Sequence, residues 1–201
     1  MNSEVDDLRP SRIVLEAEIT ALRELVSLTL DDEFEKACRK IFECAGKLVV
    51  TGMGKAGLIG QKISATLRST GQPSCFLDPA QALHGDMGMI GSSDCILALS
   101  NSGKTSEVLS VCNYAKARGL PIIAITTRQE SPLCDIATQR ILYPEMPEGC
   151  PIGCAPMAST IMMLAIGDAV AAQLMVRRNF SAGDFVSLHH GGYLGQMLAR
   201  T

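Results

Sequence analysis

The sequence predicts a single α/β domain, built as a parallel sheet with helices on both faces and preceded by a helical extension. Three observations predict it. Five short β-rich runs, KLVVTG, PSCFLD, CILALS, LPIIAIT and QRILY, are separated by helical segments, and strands alternating with helices form parallel sheets covered on both sides. No linker, repeat or low-complexity segment divides the 201 residues, a length that suits one fairly large domain with a substantial core. Hydrophobic residues make up 47% of the chain and charged residues 19%, the balance of a compact protein with a lean surface.

The elements follow in order. From Val14 to Leu28 the apolar residues Leu15, Ile19, Leu22 and Val26 recur at intervals of three and four, which is the spacing of a one-sided helix. A second helix is predicted from Asp32 to Cys44. Together they form an N-terminal helical part, residues 1–45, ahead of an α/β core at 46–180 and a histidine-containing segment at 181–201. Within the core, IGQKISATLRSTG and SEVLSVCNYAKARG read as helices that end at a glycine, and SPLCDIAT as a shorter one. The stretch APMASTIMMLAIGDAVAAQLM from Ala155 nearly reaches membrane-spanning length, but Asp168 beside Gly167 interrupts it. It is expected to be a helix buried in the core or at a subunit interface.

Composition narrows the partners. The formal net charge is −3 and no basic cluster exists, so a nucleic-acid groove is not expected, since its affinity comes from many cations on phosphates. Small metabolites or another subunit fit better. The eight cysteines lie mostly inside apolar runs such as Cys95-Ile96-Leu97, the usage of free thiols in a reducing compartment. The acidic start MNSEVDDLRP has no apolar signal region. A cytoplasmic protein with no membrane partner is therefore expected. Cys150 and Cys154 have no second pair and no His-x-x-His beside them, so they read as buried thiols rather than metal ligands.

In parallel sheets ligands sit beyond the carboxyl ends of the strands, and two loops there look like phosphate loops. TGMGKAGLIG matches the dinucleotide fingerprint through Gly52, Gly54 and Gly57, with Asp78 about twenty residues on. That pattern alone is weak. It does establish a tight turn delivering backbone amides at a helix start, with Lys55 adding a full positive charge. The second loop, ALSNSGKTSE, resembles a P-loop but has Ala98 where a Walker A glycine is needed. The next strand, LPIIAITT, ends in threonines and Arg128 rather than in an aspartate for magnesium. What remains is a set of hydroxyls, Ser100, Ser102, Thr105 and Ser106, with Asn101 and Gly103, at the start of a helix. Such a set suits a single terminal phosphate held without metal, and Ser102 is also a candidate helix cap.

Acid-base candidates are few. His84 in ALHGDMGM, and His189 and His190 in SLHHGGYLG, each lie in a glycine-bearing loop rather than on an apolar helix face, which favours site roles. Glu107 follows the hydroxyl loop, and Glu148 stands in PEGCPIG between the last strand and the long helix. Both glutamates fall where the sheet gathers its ligand loops.

Read together and in order, TGMGKAGLIG, HGDMGM, ALSNSGKTSE, EGCPIGCAPMASTIMMLAIGDA and GDFVSLHHGGYLG resemble the sugar isomerase (SIS) domain of D-arabinose 5-phosphate isomerases over nearly the whole length. The resemblance implies a flavodoxin-like five-stranded parallel sheet and a homotetramer whose sites are completed by neighbouring subunits. It implies interconversion of D-arabinose 5-phosphate and D-ribulose 5-phosphate through an enediol, feeding Kdo and lipopolysaccharide biosynthesis, with no cofactor and no metal. The family's active-site residues carry over onto Lys55, His84, Glu107, Glu148 and His189. Two motifs depart from the family: Lys104 stands where a carboxylate is usual, and His189-His190-Gly191-Gly192 where HPGG is usual. Members commonly carry a C-terminal pair of CBS domains, so the chain resembles a short form.

The expected mechanism follows. The loop from Ser100 to Thr105 anchors the phosphate, with Ser159 and Thr160 of the long helix in support. Glu148 is the first candidate for the base and Glu107 the second; His189 or His84 moves protons on oxygen or opens the ring, and Lys55 stabilises the enediolate. Three alternatives stand: isomerisation of a hexulose 6-phosphate or heptose precursor, a non-catalytic sugar-phosphate-binding regulatory module, and a nicotinamide-dependent dehydrogenase. The regulatory reading calls for a missing acid-base set or a DNA-binding domain, and the N-terminal helices carry no basic recognition pattern.

Overall fold

The computed structural model describes residues 8–189. Two helices open the chain, α1 (Arg9–Thr29) and α2 (Asp32–Phe42). The alternating part runs β1 (Leu48–Gly52), α3 (Lys55–Ser69), β2 (Ser74–Leu77), α4 (Pro79–Ala82), β3 (Cys95–Leu99), α5 (Ser106–Lys116), β4 (Ile122–Thr126), α6 (Pro132–Ile136) and β5 (Gln139–Leu142). The helices α7 (Ala158–Arg177) and α8 (Ala182–Leu188) close the described chain. All five predicted strands form, and they pair in parallel in the order β2-β1-β3-β4-β5. That is the flavodoxin-like sheet.

Strands β1, β3 and β4 are buried at every position, and the alternation of side chains across a strand divides the core in two. Leu48, Val50, Leu97, Leu99, Ile123 and Ile125 face α2, α3 and α7. Val49, Ile96, Ala98, Ile122 and Ala124 face the layer made by α5 and α6. The long helix α7 sends Met162, Ile166, Val170 and Leu174 into the first of these layers. It is, among the described residues, one helix long and apolar enough to cross a membrane, with 44% of its apolar window buried. Asp168, on its outer side, pairs with Lys62 at 2.5 Å. At Gly167 a Cβ would collide with the Ile63 side chain, so the absence of a side chain there is what lets α3 and α7 close together.

Several elements differ from the sequence reading. Helix α1 begins five residues before Val14, because Pro10 is preorganised for a first helical turn. Its buried face carries Ala21, Leu25 and Thr29, whereas Leu15, Ile19 and Val26 of the predicted stripe are exposed. The second helix stops at Phe42, short of Cys44. Helix α4, the 3₁₀ turn Asp86–Met89 and α8 were not foreseen. A capping box of Ser181 and Asp184 starts α8, and the Ser-x-x-Asp spacing was legible. Cys150 is buried as expected, but Cys154 is exposed, in the irregular stretch between the turn after Cys150 and α7.

Candidate functional site

The crossovers of β1 and β3 leave the sheet in opposite senses, and this switch point opens a crevice at their carboxyl ends. A cavity of about 410 Å³ occupies it. Lys55 after β1, Ser100, Asn101, Ser102 and Thr105 after β3, Glu148 after β5, and Ser159 and Thr160 of α7 line its wall. Helices α3, α5 and α7 all begin here, so three N-termini direct their positive dipole ends toward one space. The arrangement favours an anion.

Each wall has a local cause. Gly54 has φ +62° and ψ −129° at the cap of α3, a backbone conformation that suits glycine. A Cβ on Gly57 would lie 2.5 Å from the Gly52 carbonyl oxygen. Gly52, Gly54 and Gly57 thus fold the turn that presents Lys55, and the first two shape the wall from behind without lining it. Asp78, the carboxylate of the dinucleotide pattern, instead accepts from Ala80 N at 2.8 Å and Gln81 N at 3.3 Å to cap α4.

After β3 the chain turns at Gly103, whose φ is +64° and whose Cβ, if present, would collide with Ser131 Oγ. The turn brings Ser100 Oγ and Thr105 Oγ1 to 2.9 Å. Ser102 does not cap α5, because Thr105 occupies that position; its Oγ accepts from Lys104 N at 3.2 Å within the turn. Asn101 is tied down from its other side. Its carbonyl accepts from the hydroxyls of Thr126 and Thr127 at 3.1 and 2.9 Å, and its Oδ1 accepts from the Tyr143 hydroxyl at 2.7 Å. Burial pushes the Tyr143 phenol far up, and the Glu148 charge adds to it, so the ring stays a neutral donor. Tyr143 ends the β5 run and was not singled out in the sequence.

Glu148 is held by helix α7. Its Oε2 accepts from Met157 N at 2.7 Å and Ser159 N at 3.0 Å, two of the orphan donors at the helix start. Among the described residues Oε1 accepts no hydrogen bond. A carboxylate fixed by one oxygen and open at the other is equipped to take up a proton.

Three expected acid-base residues do not line this cavity, and neither does Gly103 of the phosphate loop. Glu107 sits in the first turn of α5, where its own backbone N–H and the Ser106 hydroxyl hold its carboxyl below the usual range. His84 is exposed in the turn after α4. His189 stacks on Phe185 at 3.8 Å between ring centroids, with Nδ1 2.7 Å from the Phe185 carbonyl. His190, Gly191 and Gly192 lie outside the described residues. Conversely, the cavity includes Met53, Met163 and Cys154, which sequence reading left out. Among the described residues no three His, Cys, Asp or Glu side chains gather where a metal would be held.

Comparison with known proteins gives this geometry a context. The SIS domain model matches residues 41–173. Arabinose 5-phosphate isomerase KdsD of Pseudomonas aeruginosa is 42% identical over 198 residues, which are 98% of this chain and 60% of that protein. KdsD of Escherichia coli K12 is 44% identical over 169 residues, 84% of this chain and 52% of that protein. The chain therefore spans between half and three-fifths of the length of these relatives. Among solved structures, an Escherichia coli CFT073 protein in complex with arabinose 5-phosphate is 34% identical with a TM-score of 0.87, covering 94% of this chain and all of that one. By matched sequence and by fold, the chain belongs to the SIS domain family.

Proposed function

We propose that the chain is a sugar-phosphate isomerase interconverting D-arabinose 5-phosphate and D-ribulose 5-phosphate, in the cytoplasm, as a homo-oligomer that is a tetramer, on the route to Kdo. The observation that carries this reading is Glu148 clamped by α7 N–H groups opposite Lys55 and the Ser100–Thr105 hydroxyls, in one cavity. The relatives named as arabinose 5-phosphate isomerases support it, as does the neighbour bound to arabinose 5-phosphate.

The substrate's phosphate rests on Ser100, Ser102 and Thr105 and on the N-terminus of α5, with Ser159 and Thr160 opposite. Anchoring that end places the reacting carbons near Glu148 and Lys55. Glu148 takes the proton from C2, the bonding pair enters the C1–C2 double bond, and O1 becomes an enediolate oxygen that Lys55 stabilises before it is protonated. The O2 proton then leaves to a general base, C1 receives the proton carried by Glu148, and the ketose results. Oxygen proton transfer falls to His84 or His189. Both lie outside the cavity of a single chain, which is the arrangement expected where a neighbouring copy completes the site. Glu107 has the same standing. No step requires a metal.

The test is a parallel assay. Chelator-treated protein, offered arabinose 5-phosphate, a hexulose 6-phosphate and a heptose phosphate, should form product from the first at the highest kcat/KM. A requirement for added metal, or preference for another sugar phosphate, would overturn the corresponding part, and binding without turnover of any of them would make the chain a sugar-phosphate sensor.

A further inference from the structure

The turn that connects Glu148 to α7 holds two cysteines whose surroundings differ from those of most other thiols in the chain. Burial pushes the thiols of Cys38, Cys95 and Cys112 up to about 12, and those of Cys44 and Cys75 also upward. Such thiols are inert. Cys150 is different. A β-turn closed by Gly153 N donating to the Cys150 carbonyl at 2.9 Å folds the chain back so that Cys154 N and Ala155 N each donate to Cys150 Sγ at 3.1 Å. Burial pushes this thiol up, but the backbone N–H groups of Ala155, Ile152, Cys154 and Gly153 outweigh it and hold it below the ordinary thiol range. These donors stabilise the thiolate, the form that reacts.

Position adds a route in and a partner. Cys150 lines a groove of about 420 Å³ with Arg9, Pro10 and Ile13, so a small oxidant has a path to it. Cys154 is exposed and lines the separate cavity that holds Glu148. Its backbone nitrogen already touches the Cys150 sulfur, and its own Sγ rests on the Ile152 carbonyl at 3.2 Å. With the Cys154 nitrogen 3.1 Å from the Cys150 sulfur, the two sulfurs are separated by no more than the reach of the Cys154 side chain.

We propose that Cys150 is an oxidation-sensitive thiol and Cys154 its resolving partner, so that a peroxide closes a disulfide across the turn between Glu148 and α7. In the first step the Cys150 thiolate attacks one peroxide oxygen; an S–O bond forms, the O–O bond breaks, and hydroxide leaves. In the second the Cys154 sulfur attacks the sulfenyl sulfur, an S–S bond forms, the S–O bond breaks, and hydroxide leaves and takes the Cys154 proton to form water. Peroxide is reduced by two electrons and the pair of thiols is oxidised by two. The disulfide draws the Cys154 side chain off the cavity wall, so the redox state of the turn reshapes the space beside Glu148.

The chemistry is independent of which reaction the cavity performs, and so is its test. The purified 201-residue chain is exposed to hydrogen peroxide at equimolar amount, the remaining thiols are alkylated, and peptides are mapped by mass spectrometry. The 150–154 disulfide should form at least about tenfold faster than Cys38, Cys95 or Cys112 is modified, and dithiothreitol should restore both thiols. In Cys154→Ser, dimedone should trap a sulfenic acid on Cys150. In Cys150→Ala, oxidation of Cys154 should slow by at least about tenfold; if that variant does not fold, the wild-type map alone decides. Oxidation spread evenly over the thiols, a Cys154 as reactive without Cys150 as with it, or a disulfide formed only between chains would each overturn the proposal.

Discussion

At the scale of single residues, the site depends on backbone amides as much as on side chains. Glu148 stays in place because α7 needs its carboxylate, and α7 starts cleanly because Glu148 is there. A similar economy operates at the opposite, amino-terminal end of the strands. Asp94, almost fully buried before β3, accepts from Gly91 N at 2.8 Å, Lys47 N at 2.9 Å and Lys47 Nζ at 2.6 Å. Burial pushes its carboxyl up, but the Lys47 ammonium and the two amides outweigh burial and hold it below the ordinary aspartate value of 3.8. A depressed folded value means that the contribution is fully present above about pH 3.8 and is lost as pH falls through the folded value. Asp94→Asn should therefore cost about 2 kcal/mol near neutrality. In urea denaturation the gap from wild type should narrow on acidification below pH 4; a gap independent of pH would refute it.

Legibility varied among the site residues for physical reasons. Lys55, Glu148 and the Ser100–Thr105 hydroxyls were readable because strand ends and glycine turns fix where they emerge. His84, His189 and Glu107 carried the same kind of signal, a polar residue beside a turn, yet one chain does not bring them to the cavity. Sequence adjacency says that a residue is on a loop, not which way the loop faces. Cys154 reads as a buried thiol for want of metal-ligand company, which says nothing of its exposure; the turn at Gly153, with φ +67°, leaves it outside.

At the scale of elements, two close approaches determine the geometry that the cavity inherits. The first is α3 against α7 at Gly167, where Ile63 fills the space of the missing side chain. Both helices begin at the cavity wall, so a wedge between them moves Lys55 relative to Ser159. Gly167→Ala should destabilise the fold by about 1–3 kcal/mol through overpacking, read by denaturation, and should raise KM for the substrate; unchanged stability would show that Ile63 has room to move. The second is the N-terminus of α5, fixed by Gly103 against Ser131. The alternation of strands and helices was plain in the sequence because strand interiors are continuous apolar runs. Helix α4 was not, since four residues carry no period; the cap at Asp78 and Pro79 in the first turn mark it.

At the scale of the whole molecule, the described chain leaves an apolar face outward. On α1, Leu15 is 59% exposed and Val26 66% exposed, with Ile19 between them. The spacing of three and four that predicted a one-sided helix is real, but of the stripe it marks Leu22 alone packs on this chain's core, while Leu15, Ile19 and Val26 face outward. Sequence periodicity reports that a face is apolar and not what covers it. In the proposed homo-oligomer another copy covers it, so Leu15→Glu with Ile19→Glu should lower the solution mass while leaving helix content intact. A wild type that is monomeric by light scattering at micromolar concentration would contradict that assembly.

The proposed chemistry turns on Glu148 as the group that moves the carbon-bound proton. The most direct measurement follows solvent deuterium into recovered arabinose 5-phosphate and product ribulose 5-phosphate, with wild type and Glu148→Gln compared at equal enzyme concentration. Wild type should incorporate deuterium at C2 of the aldose and C1 of the ketose, and incorporation should fall by about 10² to 10⁴ in Glu148→Gln with helix content unchanged. Exchange by Glu148→Gln within about tenfold of wild type would contradict this assignment and move the base elsewhere.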